Sequence, residues 1–273
     1  MGPAAVALVF LFLLPLAILA GYAVLTTGEQ GEPILPFTLV SLTRALDPLY
    51  LGILARSLRL SLETTAICLL LGLPLAWILR GMRGRARSLA LLAVILPSWT
   101  NLLVKNYAWI VLLRQEGVVN SLLVRLGLVS EPLPLLFNEG AVLAGLVHTF
   151  LPFMVLPLYA SFEKLDPALL EAARDLGAGG WERFRRVIVP LSAPGIGAGV
   201  TLVFVPALGA VVTPDLLGGA RGMMIGNLIQ NQMLLTQDWP FGSALAVALT
   251  IASLVVIILA LGPGRRGERV ELL

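Results

Sequence analysis

The stretch LLEAARDLGAGGWERFRRVIVP, residues 169–190, is a charged interruption in a chain that is otherwise strongly apolar. Across all 273 residues, 58% are hydrophobic and only 13% are charged, and the mean hydropathy is +0.93. These values lie outside the usual composition of a water-soluble domain and indicate a protein of the lipid bilayer. Because the apolar runs are continuous rather than alternating, they predict an all-α membrane protein.

Six apolar runs are each long enough to cross a bilayer, which takes about 20 residues in helical form. They cover residues 4–25, 57–79, 88–112, 140–162, 191–213 and 240–262. They divide the chain into a first transmembrane helix with its outer loop (1–54), a core of five transmembrane helices (55–262) and a tail (263–273). The first run has no basic flank before it and exceeds the length of a signal-peptide core, so we expect it to be retained.

The distribution of Lys and Arg orients the six predicted spans. Basic residues concentrate after the second, fourth and sixth runs, and all three clusters fall on one side if there are six spans. The positive-inside rule then places both termini, the tail and the 163–190 loop in the cytoplasm. The three clusters are Arg80, Arg83, Arg85 and Arg87; Lys164, Arg174, Arg183, Arg185 and Arg186; and Arg265, Arg266 and Arg269.

The 163–190 loop contains a helix with clear start and stop signals. Asp166 followed by Pro167 is a typical N-cap and first-turn pair. Leu165 and Leu170 occupy the positions of a hydrophobic staple, and Gly177 predicts a left-handed stop. Residues and physics alone leave two interpretations open: a surface helix that covers the bundle, or a rigid helix that docks onto another protein.

The spacing of residues in this loop resembles the EAA loop of ABC importer permeases. The family pattern is EAA, three residues, Gly, nine residues, Ile, any residue, then Leu-Pro. Here the matching residues are Glu171-Ala172-Ala173, Gly177, Val187 and Val189-Pro190, with Val replacing Ile and Leu. The resemblance implies that the loop forms a coupling helix that contacts a cytoplasmic ATPase through Asp166, Leu170, Glu171, Ala172, Ala173 and Gly177.

The resemblance covers about residues 55–262 and is strongest to the permeases for spermidine and putrescine. It rests on LPSWTNLLVKNYAWIVLL (96–113), LPFMVLPLYASFEKLDPALLEAARDLGA (151–178) and PDLLGGARGMMIGNLIQNQMLLTQDWPFGSAL (214–245). It implies a type I importer bundle in a bacterial inner membrane. The implied partners are a second, different permease subunit, two copies of an ATPase that binds ATP and Mg, and an extracytoplasmic solute-binding protein. Membrane lipid surrounds the chain, and no nucleic acid is implied.

The solute implied by the resemblance is a small organic cation such as a polyamine. Candidate pathway residues are the rings and carboxylates near the outer side, since aromatic faces bind ammonium groups: Trp99, Tyr107, Asp215, Asp238 and Trp239. Their rings can equally be interfacial anchors. Members of the polyamine type often read Gly-Glu-Phe where this chain reads Gly209-Ala210-Val211. Other ABC solutes (iron, phosphonate, opine or an amino-acid derivative) and an ATP-independent secondary transporter are the alternatives.

Ionisable residues within the spans have structural interpretations that compete with functional ones. We expect Glu63 to pair with Arg59, Lys105 to snorkel outward, and His148 to hydrogen-bond a neighbouring helix. The GxxxG formed by Gly195 and Gly199 is compatible with a pathway lining or with tight helix packing.

No Walker A loop, nucleophile elbow or metal-ligand cluster occurs in the sequence, so no catalytic residue, metal site or cofactor is expected in this chain. The chain is therefore predicted to be a transport subunit rather than an enzyme. ATP hydrolysis is expected in a separate subunit.

Overall fold

The computed structural model describes residues 2–219 and 222–261 and is mostly helical. In chain order its elements are α1 (Gly2–Ala23), β1 (Leu25–Thr27), β2 (Pro33–Phe37), α2 (Val40–Ala45), α3 (Pro48–Gly81), α4 (Gly84–Trp99), α5 (Leu102–Leu113), α6 (Val118–Arg125), α7 (Glu139–Glu163), α8 (Pro167–Asp175), α9 (Gly180–Arg183), a π-helix (Phe184–Ile188), α10 (Val189–Leu191), α11 (Ala193–Leu208), α12 (Val212–Leu217), α13 (Ile225–Gln230), a second π-helix (Asn231–Leu235) and α14 (Trp239–Leu261). The predicted tail and its basic residues, Arg265, Arg266 and Arg269, lie outside the described residues, as does Arg221.

Three of the described helices, α3, α7 and α14, are long and apolar enough to cross a membrane. Two more spans result if each bent helix pair counts as one: α4 with α5–α6 bends by 94°, and the 180–191 segment with α11 bends by 71°. The helical membrane fold is therefore confirmed, whereas the number six stays a prediction. Two predicted runs are interrupted in the structure, because the 88–112 run breaks at Thr100 and the 191–213 run breaks after Leu208.

Helices α3, α7 and α11 form the centre of the bundle. Their shared core contains Cys68 and Ala76 from α3, Met154 and Leu158 from α7, and Val203 from α11. Small residues bring the backbones together, since these helices approach closely only where no side chain intervenes.

The GxxxG of α11 lies at this seam. Gly195 and Gly199 are buried, and a Cβ atom would lie 2.8 Å from the carbonyl oxygen of Pro157 at Gly195 and 2.7 Å from Met154 Sδ at Gly199. Both positions face α7, so the structure favours the tight-packing interpretation of this motif.

One end of the bundle, here called the hairpin end, carries the β1–β2 hairpin and the first turns of α3, α7 and α14. Strands β1 and β2 are antiparallel. Asp238 joins the elements of this end: it accepts a hydrogen bond from Thr27 Oγ1 at 2.9 Å, pairs with Arg44 at 2.9 Å and caps α14 at Phe241 N.

Ion pairs join α3 to α7 at the hairpin end. Glu139, the first residue of α7, pairs with Arg59 and, at 3.3 Å, with Arg56. The predicted pair between Arg59 and Glu63 is present at 3.7 Å. All four side chains are more than a third exposed, so solvent screens these interactions.

The opposite end, here called the loop end, carries the 163–190 loop. Arg80 Nη2 donates to the carbonyl oxygen of Leu165 at 3.1 Å, and Arg87 of α4 pairs with Glu163 of α7. The basic clusters that follow the second and fourth runs therefore lie at the same end of the bundle, as the charge pattern predicts.

Candidate functional site

Helix α8 of the loop end has the capping structure that its sequence predicts. Asp166 Oδ1 accepts a hydrogen bond from Ala168 N at 2.9 Å, and Pro167 opens the helix. At the other end Gly177 takes a φ of +82°, and Ala178 N donates to the carbonyl oxygen of Ala173 at 3.0 Å. Both ends are thus fixed by local bonds, which makes α8 a compact unit.

The two faces of α8 differ in their surroundings. Leu170 packs against the core that also contains Leu165, in agreement with a hydrophobic staple. Glu171 and Ala172 are exposed, and Leu176, which follows the helix, is 89% exposed. Leu169 and Trp181 are also exposed in this segment, and several exposed apolar side chains together are typical of a surface that another protein covers.

The segment after α8 connects it physically to α11. Residues 180–191 are helical throughout, as α9, a π-helix and α10 in succession. The π-helix was not predicted from the sequence. Trp181 stacks on Phe184 with ring centroids 5.6 Å apart, while Phe184 and Ile188 pack into the bundle core. The segment between α8 and α11 is therefore held to the bundle by packed side chains, and packed interiors are stiff.

Three of the five predicted pathway residues lie on the bent span and on α12. Trp99 ends α4 and is 75% exposed, and Tyr107 is an exposed residue of α5. Asp215 lies on α12, which packs against α5 and α7, and its Oδ1 accepts a 2.5 Å hydrogen bond from Asn227 Nδ2.

The other two predicted pathway residues, Asp238 and Trp239, lie at the hairpin end. Asp238 is engaged in the contacts described above, with its side chain 15% exposed. Trp239 lines a cavity of about 340 Å³ together with Tyr22 and Glu32. The structure therefore separates the five predicted residues into two groups, and Glu32 and Tyr22 are additions that the sequence analysis missed.

Lys105 differs from expectation. It was expected to snorkel outward, but its side chain is buried at 8% exposure. The physical reason is the break at Thr100, which starts a new helix at Leu102 and packs that helix against α7 and α12.

The expectation for His148 is confirmed, since its Nδ1 accepts a hydrogen bond from Trp109 Nε1 at 3.1 Å.

Polar residues inside the bundle form contacts that the sequence analysis also missed. Asn227 of α13 donates to the carbonyl oxygen of Val211 at 2.7 Å, and Ser57 of α3 accepts from Ile225 N at 2.8 Å. The available signal was the i, i+4 spacing of hydroxyl residues in the α3 run, where Ser57, Ser61, Thr64 and Thr65 are all buried. Within residues 2–219 and 222–261, no group of three His, Cys, Asp or Glu residues could hold a metal ion.

Comparison with known proteins gives consistent matches over most of the chain. Residues 68–262 match the family model described as binding-protein-dependent transport system inner membrane component. The spermidine/putrescine transport system permease protein PotB of Escherichia coli is 46% identical over 244 residues, which is 89% of each chain. The protein of that name from Haemophilus influenzae is 43% identical over 92% of this chain and 87% of its own length.

A solved structure shows the same fold at low sequence identity. A chain of a bacterial ABC transporter that imports the acidic polysaccharide alginate superposes with a TM-score of 0.74 at 18% identity, covering 98% of this chain and 94% of that one. The family model extends from the middle of α3 through α14 and includes the 163–190 loop. The chain therefore belongs to the family of binding-protein-dependent transport system inner membrane components, and it is an ABC transporter permease rather than an enzyme.

Proposed function

We propose that this chain forms part of the translocation pathway of an ATP-driven importer for a small organic cation, specifically a polyamine such as spermidine or putrescine. The observation that carries the proposal is the 46% identity over 89% of both chains to a spermidine/putrescine permease. The aromatic and acidic residues Trp99, Tyr107 and Asp215 on neighbouring elements support it, since such side chains suit an alkylammonium group.

The proposed assembly contains a second, different permease subunit, two copies of a cytoplasmic ATPase and an extracytoplasmic solute-binding protein. A related alginate transporter has been solved with its solute-loaded periplasmic protein, at a TM-score of 0.73 to this chain. In the proposed assembly ATP and Mg are bound by the ATPase, and this chain contributes no cofactor site.

The loop end is proposed to face the cytoplasm, with both chain termini on that side. The basic residues Arg80, Arg83, Arg85 and Arg87 and those of the 163–190 loop support this orientation, because Lys and Arg are retained on the cytoplasmic side. The hairpin end, with Asp238 and Trp239, then faces outward.

In the proposed mechanism α8 is the coupling helix. Its exposed face, with Glu171, Ala172 and Gly177, docks onto the ATPase, while Leu170 holds the helix to the bundle. Closure of the ATPase dimer displaces α8 as a rigid body, and the 180–191 segment passes the displacement to α11. Alternating access then follows from a change in how the helices are arranged around the pathway.

Coupling is tested by Glu171→Lys and Gly177→Val in the complete, co-expressed transporter. The first reverses a charge on the docking face, and the second strains a backbone at φ +82°, where a β-branched residue is disfavoured. We expect both variants to insert in the membrane normally, to lose the co-purifying ATPase and to lose uptake. Glu131→Lys, at an exposed residue between α6 and α7, is the matched control. If ATPase binding and uptake survive both changes, α8 is not the coupling element.

The solute is tested with proteoliposomes that contain the complete transporter and its binding protein. ATP-dependent uptake of labelled spermidine or putrescine, competed by other polyamines and not by phosphonates or iron chelates, is the expected result. Uptake that proceeds without ATP and follows an ion gradient would instead establish a secondary transporter. A binding protein that ignores polyamines and binds anions would overturn the solute assignment.

A further inference from the structure

A cavity of about 410 Å³ lies at the loop end, between α3 and the segment that follows α8. One wall is formed by Leu73, Pro74 and Trp77 of α3, and the facing wall includes Arg183, Phe184 and Ile188. The lining is mainly apolar, and its charged side chain is that of Arg183. The cavity therefore combines a hydrocarbon-like surface with one guanidinium group.

Arg183 is the charged residue of this lining, and its side chain carries an unsatisfied donor. Its Nε is buried and makes no hydrogen bond within the described residues. By contrast, Arg80 donates to a backbone carbonyl, Arg87 pairs with Glu163, and Arg186 pairs with Glu182. The neighbouring carboxylates Glu163 and Glu182 are thus engaged elsewhere. A buried N–H donor on a cationic group calls for an anionic acceptor, which the described chain does not supply.

The position of the cavity narrows the choice of acceptor. Leu73 to Trp77 belong to the last turns of a helix that is long and apolar enough to cross a membrane. Trp77 is 37% exposed, and the guanidinium carbon of Arg80 lies 4.9 Å from the centre of its ring. A tryptophan beside arginines at the end of a span is the arrangement found at the lipid headgroup level. At that depth a phospholipid supplies both an anionic phosphate and an acyl chain.

We propose that this cavity binds an anionic phospholipid of the cytoplasmic leaflet. The phosphate accepts the hydrogen bond from Arg183, and an acyl chain lies against Leu73, Pro74 and Ile188. Basic pockets beside transmembrane helices on the cytoplasmic side are known to take such headgroups, which is the general warrant for this choice. The inference rests on the cytoplasmic placement of the loop end in the proposed function.

A lipid in this cavity would occupy the space between α3 and the connection from α8 to α11. It would therefore support the 180–188 segment against the bundle, in the part of the chain through which α8 is joined to the core. The expected consequence is that uptake depends on anionic lipid, while polyamine binding by the separate solute-binding protein does not.

The experiment measures lipid retained by the full-length chain, purified with its co-expressed subunits. Native mass spectrometry counts phosphatidylglycerol and phosphatidylcholine adducts after exchange into mixed micelles of the two lipids. We expect the wild-type chain to retain phosphatidylglycerol in preference, and Arg183→Gln to reduce that retention about tenfold, the factor that corresponds to loss of one charge-assisted hydrogen bond. Arg185→Gln is the matched control, since Arg185 is exposed, lies two residues after Arg183 in the adjoining π-helix and does not line the cavity.

A second variant tests the apolar half of the cavity while leaving Arg183 in place. Gly180 lines the cavity, and a Cβ atom there would meet no atom within 4 Å, so Gly180→Leu can fill the space without a backbone clash. We expect it also to lower retention of phosphatidylglycerol, and melting curves show whether each variant is folded.

Three results would overturn the proposal: equal retention of the two lipids by the wild-type chain, full retention by both cavity variants, or equal losses in Arg183→Gln and Arg185→Gln. Retention of free inorganic phosphate but no lipid would likewise show that the site is not a lipid site. Failure of the proposed function is seen separately, as an absence of co-purifying ATPase or of polyamine uptake, because the adduct count requires neither.

Discussion

Replacing Gly195 with alanine places a methyl carbon 2.8 Å from the carbonyl oxygen of Pro157 and against the Ser161 side chain. The same change at Gly199 places it 2.7 Å from Met154 Sδ and 3.3 Å from the Met154 carbonyl oxygen. A helix carbonyl has no freedom to move aside, whereas a methionine side chain has three rotatable bonds. We therefore expect Gly195→Ala to be the more destabilising of the two substitutions.

The magnitude follows from two opposing effects. Overpacking a close-packed seam costs about 1–3 kcal/mol, and Gly195 belongs at the upper part of that range because backbone and side-chain atoms are both in the way. Alanine regains about 1 kcal/mol over glycine in a helix interior. The net loss is then about 1–2 kcal/mol for Gly195→Ala, or a fall in Tm of about 2–8 °C, and about 0–1 kcal/mol for Gly199→Ala.

Thermal unfolding of the purified full-length chain in detergent, followed by tryptophan fluorescence, measures these differences. Gly209→Ala is the control on the same helix, because a Cβ atom at its C-cap meets nothing within 4 Å. Combining Gly199→Ala with Met154→Ala removes the overlap with sulfur, so the pair should cost less than the sum of the two single changes. If Gly195→Ala melts at or above the wild-type temperature while uptake falls, this face of α11 lines the pathway and is not a seam.

Three further substitutions test polar contacts of unequal strength. Asn227→Ala removes the hydrogen bonds that this buried amide donates to the Val211 carbonyl oxygen and to Asp215. We expect the free energy of unfolding to fall by about 2–4 kcal/mol, which is measured as a lower Tm. Glu139→Gln removes a solvent-screened partner of Arg59, so the expected loss is below about 1 kcal/mol, and a larger effect than that of Asn227→Ala would contradict this ranking. Asp166→Ala removes the N-cap of α8 at a local cost of about 1 kcal/mol. Hydrogen exchange should then accelerate in α8 at an unchanged Tm, and unchanged protection would show that the cap is dispensable.

The features that could be predicted from sequence are those whose causes are local. The start of α8 at Asp166 and its stop at Gly177 depend on bonds between residues at most five positions apart, and the structure contains those bonds. The apolar runs likewise located the major helices. The family could be identified because the spacing from Glu171 to Pro190 is itself the diagnostic pattern.

The features that were missed depend on contacts between distant parts of the chain. The contacts of Asp238 with Thr27 and Arg44 were not predicted, because these partners lie 211 and 194 residues away in sequence. Neither hydrophobic periodicity nor a capping residue indicates a contact between residues so far apart in sequence. Lys105 illustrates a related difficulty, since its burial follows from the bend at Thr100, and an apolar run does not show where a span will break. Asn101, which caps the new helix through Leu103 N at 2.8 Å, was the local signal of that break.

The seam and the loop together restrict how α11 can respond to the ATPase. In the proposed mechanism the 180–191 segment passes a displacement of α8 to the first turns of α11, and those turns are where Gly195 and Gly199 lie against α7. If α11 slid along α7, larger residues would replace Gly195 and Gly199 at the points of closest approach. Their side chains would overlap α7, and a close-packed interface resists such overlap. We therefore expect α7 and α11 to move as one body. We then expect the pathway to open by rearrangement at the bends at Thr100 and after Leu208, which precede the helices that carry Tyr107 and Asp215.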